Sequence, residues 1–78
     1  MWWFFKKSFE DDNEIEYRYS RGTNNLGGFV RLRKADYGLV ACQADVKDTP
    51  KGLKVAEDWV ITLIKKYGAP DKRLIACG

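Results

Sequence analysis

A single long helix, marked at both ends, constrains the fold of this chain more than any other feature. Thr49 is a good N-cap, and Pro50 follows at the first helical position, where its missing N–H costs nothing. Gly68 supplies the position after the last helical residue, and Pro70 blocks continuation. Apolar residues recur between these signals at helical spacing: Leu53, Ala56, Val60, Leu63, Ile64 and Tyr67, with Trp59 at the margin. The pattern predicts an amphipathic helix over residues 50–67.

The first turn of this helix allows two starts. In a helix that begins at Pro50, Val55 would point to solvent, away from the apolar stripe. Residues Gly52 to Val55 could instead be extended, and the helix would then begin near Ala56. The sequence leaves both starts open.

Much of the remaining chain carries the two-residue periodicity of strands. Residues 14–21 alternate strictly, with three apolar or aromatic side chains on one face and polar ones on the other. The apolar face holds Ile15, Tyr17 and Tyr19. Residues 2–9 are rich in aromatic side chains and are predicted as another strand. Residues 73–77 are short, apolar and β-compatible, which suggests an added edge strand.

Residues 29–34 and 39–46 are predicted as the two arms of a β-hairpin. The segment Asp36-Tyr37-Gly38 between them suits a three-residue loop, in which Gly38 takes the left-handed region. In this register the aliphatic side chains share the inner face: Val30, Leu32, Val40, Cys42 and Ala44. Phe29, Arg31 and Arg33 then point outward, opposite Asp45, Gln43 and Ala41 respectively.

These elements predict one small domain of the α+β class that spans residues 1–78. Its expected architecture is an antiparallel meander of three or four strands, with the helix of about residues 50–67 packed on one face and a possible short C-terminal strand. Hydrophobic residues make up 45% of the chain and aromatic residues 14%, which is ample for a packed core and argues against disorder.

Side chains for catalysis or metal binding are scarce. The chain has no histidine, which removes the commonest general base and transition-metal ligand. Its two cysteines, Cys42 and Cys77, lie far apart without a CxxC motif, so a thiolate metal site is not expected. We therefore expect a protein that binds rather than catalyses, with no catalytic residue, metal or cofactor.

The expected location is the cytoplasm. Two cysteines do not make the disulfide framework that small secreted domains carry. The N-terminal aromatic run is followed by Lys6 and Lys7, which reverses the order found in a signal peptide, and it is too short to span a bilayer. No membrane partner is expected.

The outer face of the predicted hairpin is the main candidate surface. Phe29, Arg31 and Arg33 lie there, and Arg18 joins them if its strand is adjacent. Arginines beside an exposed aromatic ring on a sheet can contact phosphates and stack on bases. The alternative is a solvated strand face whose charges only keep the sheet soluble.

One resemblance to known proteins rests on the order of the elements. Basic strands, then Lys51-Gly52-Leu53, then an amphipathic helix are similar to the arrangement in small transcription cofactors that bind single strands (the positive-cofactor-four type). The likeness covers about residues 29–66, and the spacing from Gly52 to Trp59 differs from that family's. It implies no functional residue here.

Two functions are expected, in this order. The first is a protein-interaction module, an adaptor or inhibitor of the kind common among compact genes of phages and mobile elements. The surplus aromatics at residues 2–5, which include Trp2 and Trp3, favour it, as does a divided charge: residues 1–16 hold two lysines against five carboxylates, whereas the rest is basic. The alternative is a nucleic-acid-binding module, ranked second because a net charge of +3 is modest. A homodimer is also considered, since one sheet face stays partly exposed.

Overall fold

An antiparallel sheet with one helix across it forms the described part of the chain. The computed structural model describes residues 2–21, 27–45 and 48–76, without the side chains of Trp2, Arg21 and Ala76. The elements in chain order are β1 (Trp2–Glu10), β2 (Glu14–Arg21), β3 (Gly28–Arg33), β4 (Leu39–Gln43), α1 (Pro50–Tyr67) and β5 (Lys72–Ala76). The predicted α+β class is confirmed, and the C-terminal strand brings the sheet to five strands.

The helix carries the chain from one edge of the sheet to the other. The strands lie in the order β4-β3-β2-β1-β5, and every neighbouring pair is antiparallel. Strands β1 to β4 form the predicted meander, after which α1 crosses the sheet and β5 pairs with the free side of β1. The N-terminal strand is therefore internal to the sheet.

The face of the sheet beneath α1 holds the core. Its buried side chains come from β1, β2, β3 and the helix: Trp3, Phe5, Ile15, Tyr17, Tyr19, Val30, Leu32, Ala56, Val60 and Leu63. The centre of the Tyr19 ring lies 5.8 Å from that of Trp3 and 6.1 Å from that of Phe5, as packed aromatic rings prefer. The alternation predicted for β2 is confirmed.

The helix is capped at both ends as the sequence predicts, and it begins at Pro50. The Thr49 hydroxyl oxygen accepts the Gly52 N–H at 3.1 Å. Val55 is exposed, as the longer of the two helices requires. At the other end, Gly68 takes the left-handed region with a φ of 71°. The alternative start near Ala56 is therefore wrong.

The predicted register of the β3–β4 hairpin is also wrong. Arg31 lies opposite Ala41 rather than Gln43, and Phe29 lies opposite Gln43 rather than Asp45. The shift in this part of the hairpin amounts to two residues. Because side chains alternate with a period of two, Phe29 and Arg31 still point to the predicted face.

The loop of this hairpin explains the shift. It has four residues, Lys34 to Tyr37, because the Arg33 N–H donates to the Gly38 carbonyl at 2.9 Å. Tyr37, not Gly38, takes the left-handed region, with a φ of 58°. Close to the loop the ladder contains a β-bulge, and Val40, predicted to be in the core, is 42% exposed.

A contact outside the hairpin accompanies this longer loop. The Lys34 N–H donates to the Asn13 carbonyl in the β1–β2 turn at 2.8 Å, which continues the β2–β3 pairing one residue beyond Arg33. The Lys34 ammonium also lies 2.6 Å from a Glu10 carboxylate oxygen. This contact, together with one from Lys7, lowers the pKa of Glu10 to about 2. The two turns at this end of the sheet are therefore tied together.

Tyr19 ties the sheet to the segment that precedes the helix. Its hydroxyl donates to Asp48 Oδ2 at 2.7 Å and accepts the backbone N–H of Asp45 at 3.2 Å. Burial raises the pKa of this phenol above its usual value. Asp45, expected on the outer face, is only 2% exposed, and no residue in the described part of the chain hydrogen-bonds to either of its carboxylate oxygens.

Candidate functional site

The face of the sheet opposite α1, which we call the outer face, has no described element packed over it. Strand register decides which side chains meet there, because directly opposite residues on antiparallel neighbours point to the same side. The described side chains at these positions are Phe4, Lys6, Phe9, Glu14, Glu16, Arg18, Ser20, Phe29, Arg31, Arg33, Ala41, Gln43, Lys72 and Leu74.

A row of basic side chains crosses three strands of the outer face. Lys6 on β1 lies opposite Lys72 on β5 and, on its other side, opposite Arg18 on β2. We call these three residues the cationic row. All three are exposed, and because neighbouring strands are about 4.8 Å apart, their backbones lie within about 10 Å. The same line continues to Phe29 on β3 and Gln43 on β4.

The cationic row is unfavourable for the folded protein by itself. Like charges directly opposite each other destabilise a sheet. Among residues 2–21, 27–45 and 48–76, no carboxylate lies at ion-pair distance from Lys6, Arg18 or Lys72. A bound anion would therefore relieve a repulsion that the described residues leave uncompensated.

Arg31, in contrast, is neutralised by neighbours on the same face. Its Nε donates to Glu14 Oε1 at 2.8 Å, and its Nη1 lies 3.8 Å from Glu16 Oε1. The guanidinium also lies 4.2 Å from the centre of the Phe9 ring. These contacts leave Arg31 little capacity for an external anion.

Arg33 lies at the hairpin loop and pairs with a residue of that loop. Its Nε donates to Asp36 Oδ1 at 3.2 Å. This bond, followed by one from the Gly38 N–H, lowers the pKa of the Asp36 carboxyl. Arg33 therefore stabilises the four-residue loop, and its charge is partly compensated there.

Apolar side chains adjoin the cationic row. Phe29 is half-buried, and the Arg18 guanidinium lies 5.8 Å from the centre of its ring. One step along the strands, Phe4 on β1 lies opposite Leu74 on β5. Leu74 is 61% exposed, more than any other large hydrophobic side chain in the described part of the chain. The outer face thus combines free positive charge with accessible apolar surface.

The residues predicted as a binding site divide into three groups. Four of them lie together on the outer face: Arg18, Phe29, Arg31 and Arg33. Trp3 is 4% exposed and lies in the core, because its side of β1 faces the helix. The side chain of Trp2 lies outside the described residues.

Sequence reasoning misses two members of the cationic row, Lys6 and Lys72. Alternation along β1 separates Lys6 from the buried Phe5, so its outward direction has a signal in the sequence. The position of Lys72 has none. It depends on the pairing of β5 with β1, which joins segments from opposite ends of the chain.

The described residues contain neither a cluster of metal ligands nor a helix that could span a membrane. No three side chains of the His, Cys, Asp and Glu types gather there as metal ligands would. No helix in these ranges combines the length and the apolar character that crossing a bilayer requires.

Comparison with protein-family models, with curated proteins and with solved structures finds no match to this chain. We therefore argue its function from the geometry of the outer face.

Proposed function

We propose that this domain is a non-enzymatic module that binds single-stranded nucleic acid across the outer face. The observation that carries the proposal is the cationic row, three basic side chains set side by side with no carboxylate partner among the described residues. Such a row costs stability in the free protein. A bound polyanion would neutralise the row and remove that cost, and the relief of this repulsion would add to the free energy of binding.

The side chains of the row suit a phosphate backbone. Lysine and arginine neutralise phosphates, and the release of counterions then makes the affinity depend on salt. Arg18 adds a planar set of donors to the point charges of the two lysines. Phe29, in the same line across the sheet, offers a ring on which a base can stack. Stacking of this kind needs an unpaired base, which favours a single strand over a duplex.

This order of functions reverses the one expected from the sequence. A net charge of +3 made nucleic acid the second choice. The distribution of charge on the outer face matters more than the net charge of the chain. Glu14 and Glu16 pair with Arg31, so they do not compensate the three charges of the cationic row. Trp3, which favoured a protein partner, is buried in the core.

Two variants of equal charge test the proposal. The row variant replaces each residue of the cationic row by glutamine: Lys6→Gln, Arg18→Gln and Lys72→Gln. The control variant makes the same change at three exposed lysines of α1: Lys51→Gln, Lys54→Gln and Lys66→Gln. Both lose three positive charges, so only the position of the charge differs. Binding of a labelled single-stranded oligonucleotide is measured by fluorescence polarisation at low and moderate salt.

The expected size of the effect follows from counterion release. Three phosphate contacts on a single strand give a slope of log affinity against log salt of about −2, or roughly a twentyfold loss of affinity from about 50 to 200 mM salt. The row variant should lose most of the affinity and of this slope, whereas the control variant should keep both. Equal losses in the two variants, or no binding by the native chain at low salt, would remove the proposal.

The β4 edge of the sheet supports a second candidate, a protein-interaction module of the adaptor or inhibitor type. This strand has no charged side chain, and Leu39 and Val40 are 43% and 42% exposed. An extended peptide of a partner could add to such an edge through backbone hydrogen bonds. For a peptide selected from a displayed library, Val40→Lys should abolish capture, and the row variant should leave it intact.

We propose a cytoplasmic location for either function. Small secreted domains are usually held together by several disulfides. This chain has two cysteines, and Cys42 carries a free thiol. Neither function calls for a membrane partner.

A further inference from the structure

We propose that two copies of this chain pair through β5 to form one continuous sheet. The two β5 strands would run antiparallel, with Leu74 of each copy at the twofold axis. The pairing concerns a second copy of the chain and does not depend on what the outer face binds. Three features of β5 carry the proposal: its free backbone edge, the distribution of its side chains and the exposure of Leu74.

The first feature is a regular free edge. β5 pairs with β1 over its whole length without a register shift, and no other described strand lies beside it. The Lys7 N–H donates to the Asp71 carbonyl at 2.8 Å in the same register. Hydrogen-bonded and non-bonded pairs alternate in an antiparallel ladder. Arg73 and Ile75 therefore direct their backbone groups toward β1, and Lys72, Leu74 and Ala76 direct theirs away from the sheet.

This free edge matches itself. Antiparallel pairing centred on Leu74 places the outward-directed residues of both copies in hydrogen-bonded pairs. Leu74 would pair with Leu74 of the second copy, and Lys72 of each copy would pair with Ala76 of the other. About six backbone hydrogen bonds would form across the axis.

The second feature is the distribution of charge along β5. Its basic residues, Lys72 and Arg73, stand at one end of the strand, and the apolar Ile75 and Ala76 stand at the other. Pairing about Leu74 sets each basic residue opposite an apolar residue of the second copy. A register centred on Arg73 would instead oppose two arginines, which destabilises a sheet. Charge therefore disfavours the register centred on Arg73, and the register centred on Leu74 is the one that pairs all five described residues of β5.

The third feature is Leu74 itself. It is 61% exposed at the midpoint of an edge strand and lies opposite Phe4 on the outer face. An exposed apolar side chain on an edge strand is a liability for a monomer. In the pair, Leu74 and Phe4 of both copies would form a continuous apolar strip, which removes part of this surface from water.

The opposite edge of the sheet also exposes apolar side chains, but it is less regular. The register of β4 shifts between the partners of Arg31 and Leu32, and a bulge of this kind leaves a shorter regular run of free backbone groups than the five residues of β5. Val40 on that edge is 42% exposed, which makes it a suitable position for a matched control.

The pairing would place both outer faces on the same side of the joined sheet, because a twofold axis normal to the sheet keeps like faces together. The cationic rows of the two copies would flank the central apolar strip. Lys72 of one copy lies level with Ala76 of the other, so the two rows would be offset along the strands by about 13 Å.

Sedimentation equilibrium of the native chain tests the proposal. We expect a species of twice the 9.0 kDa chain mass that dissociates on dilution. Leu74→Lys should raise the dissociation constant at least about tenfold, because it opposes two lysines at the axis and removes the apolar contact. Leu74→Gln, which adds no charge, should raise it by a smaller factor. Val40→Lys, the matched change at the other edge, should leave it unchanged, and circular dichroism verifies that each variant folds.

Several results would overturn the pairing. One is a native chain that sediments as a monomer at submillimolar concentration, and another is association that both Leu74 variants leave unaffected. A larger loss in Val40→Lys than in Leu74→Lys would assign the interface to β4 instead. These measurements contain no oligonucleotide, so failure of the proposed nucleic-acid function and failure of the pairing are seen separately.

Discussion

Tyr19→Phe should remove two hydrogen bonds that anchor the segment before the helix, while it keeps the buried aromatic ring. The Tyr19 hydroxyl donates to the Asp48 carboxylate at 2.7 Å and accepts the backbone N–H of Asp45 at 3.2 Å. The second bond is buried, so water cannot replace the lost oxygen without entering the core. The substitution therefore leaves an N–H donor without an acceptor as well as a carboxylate with one donor fewer.

The size of the loss can be worked from these two contacts. A hydrogen bond to a charged acceptor contributes about 1.5–3 kcal/mol, and a buried donor left without a partner costs about 1–3 kcal/mol. Both contacts use the same oxygen, so the two terms do not simply add. We expect a decrease of about 2–4 kcal/mol in the free energy of unfolding, a large part of the roughly 5–15 kcal/mol typical of native proteins.

Tyr17→Phe is the matched control. Tyr17 is also fully buried, and its hydroxyl donates to the Pro70 carbonyl, which is a neutral acceptor. Its removal should cost only about 1 kcal/mol. Urea unfolding followed by tryptophan fluorescence gives both free energies, provided that the two curves have similar slopes. If Tyr19→Phe loses no more stability than Tyr17→Phe, the account of the Tyr19 hydroxyl is refuted.

Three further predictions concern charged side chains. Asp45→Asn should raise the free energy of unfolding by about 1–2 kcal/mol, because a neutral amide costs less to bury than a carboxylate and the described residues give this side chain no hydrogen-bond partner; a loss of stability in urea unfolding would contradict this. Lys34→Met should raise the pKa of Glu10 from about 2 toward its ordinary value, as an NMR titration would measure. Because the pKa of Glu10 is lowered in the folded state, its ionised form stabilises the protein fully above about pH 4.5, and this contribution is lost as the pH falls toward 2. The free energy of unfolding of Lys34→Met should therefore fall less than that of the native chain between these pH values. Glu16→Gln should strengthen oligonucleotide binding about threefold, since it removes a negative charge beside Arg31 and the cationic row; unchanged affinity would place the ligand elsewhere.

The helix could be predicted, with only its start left open, because its signals are local. Thr49, Pro50 and Gly68 act on the backbone within one turn, and the apolar stripe has the period of a helix in any tertiary context. The sequence left two possible helix starts, Pro50 and Ala56. The structure decides for Pro50, because the Gly52 N–H donates to the Thr49 hydroxyl oxygen and so caps the helix there. The faces of β2 were equally predictable, since alternation assigns Ile15 and Tyr17 to the same side.

The hairpin register could not be predicted from the loop residues alone, because this loop also contacts another turn. Within the segment itself, glycine at position 38 favours a three-residue loop. The Lys34 N–H instead bonds to Asn13 in the β1–β2 turn, and Tyr37 takes the left-handed conformation. The resulting shift of two residues leaves Arg31 on its predicted face, because the side-chain period is two. β4 ends at Gln43, so Asp45 lies beyond the strand and is buried in the interior.

Part of the candidate site could likewise be predicted from the sequence, and the rest depends on the tertiary structure. The outward direction of Arg18 and Phe29 follows from alternation along each strand, which the sequence by itself determines. That Arg31 is neutralised by Glu14, and that Lys6 gains Lys72 as its neighbour, depends on which strands pair and in what register. Such pairing joins residues far apart in the chain, and its free energy comes from the burial of a shared core, so only the tertiary structure decides it.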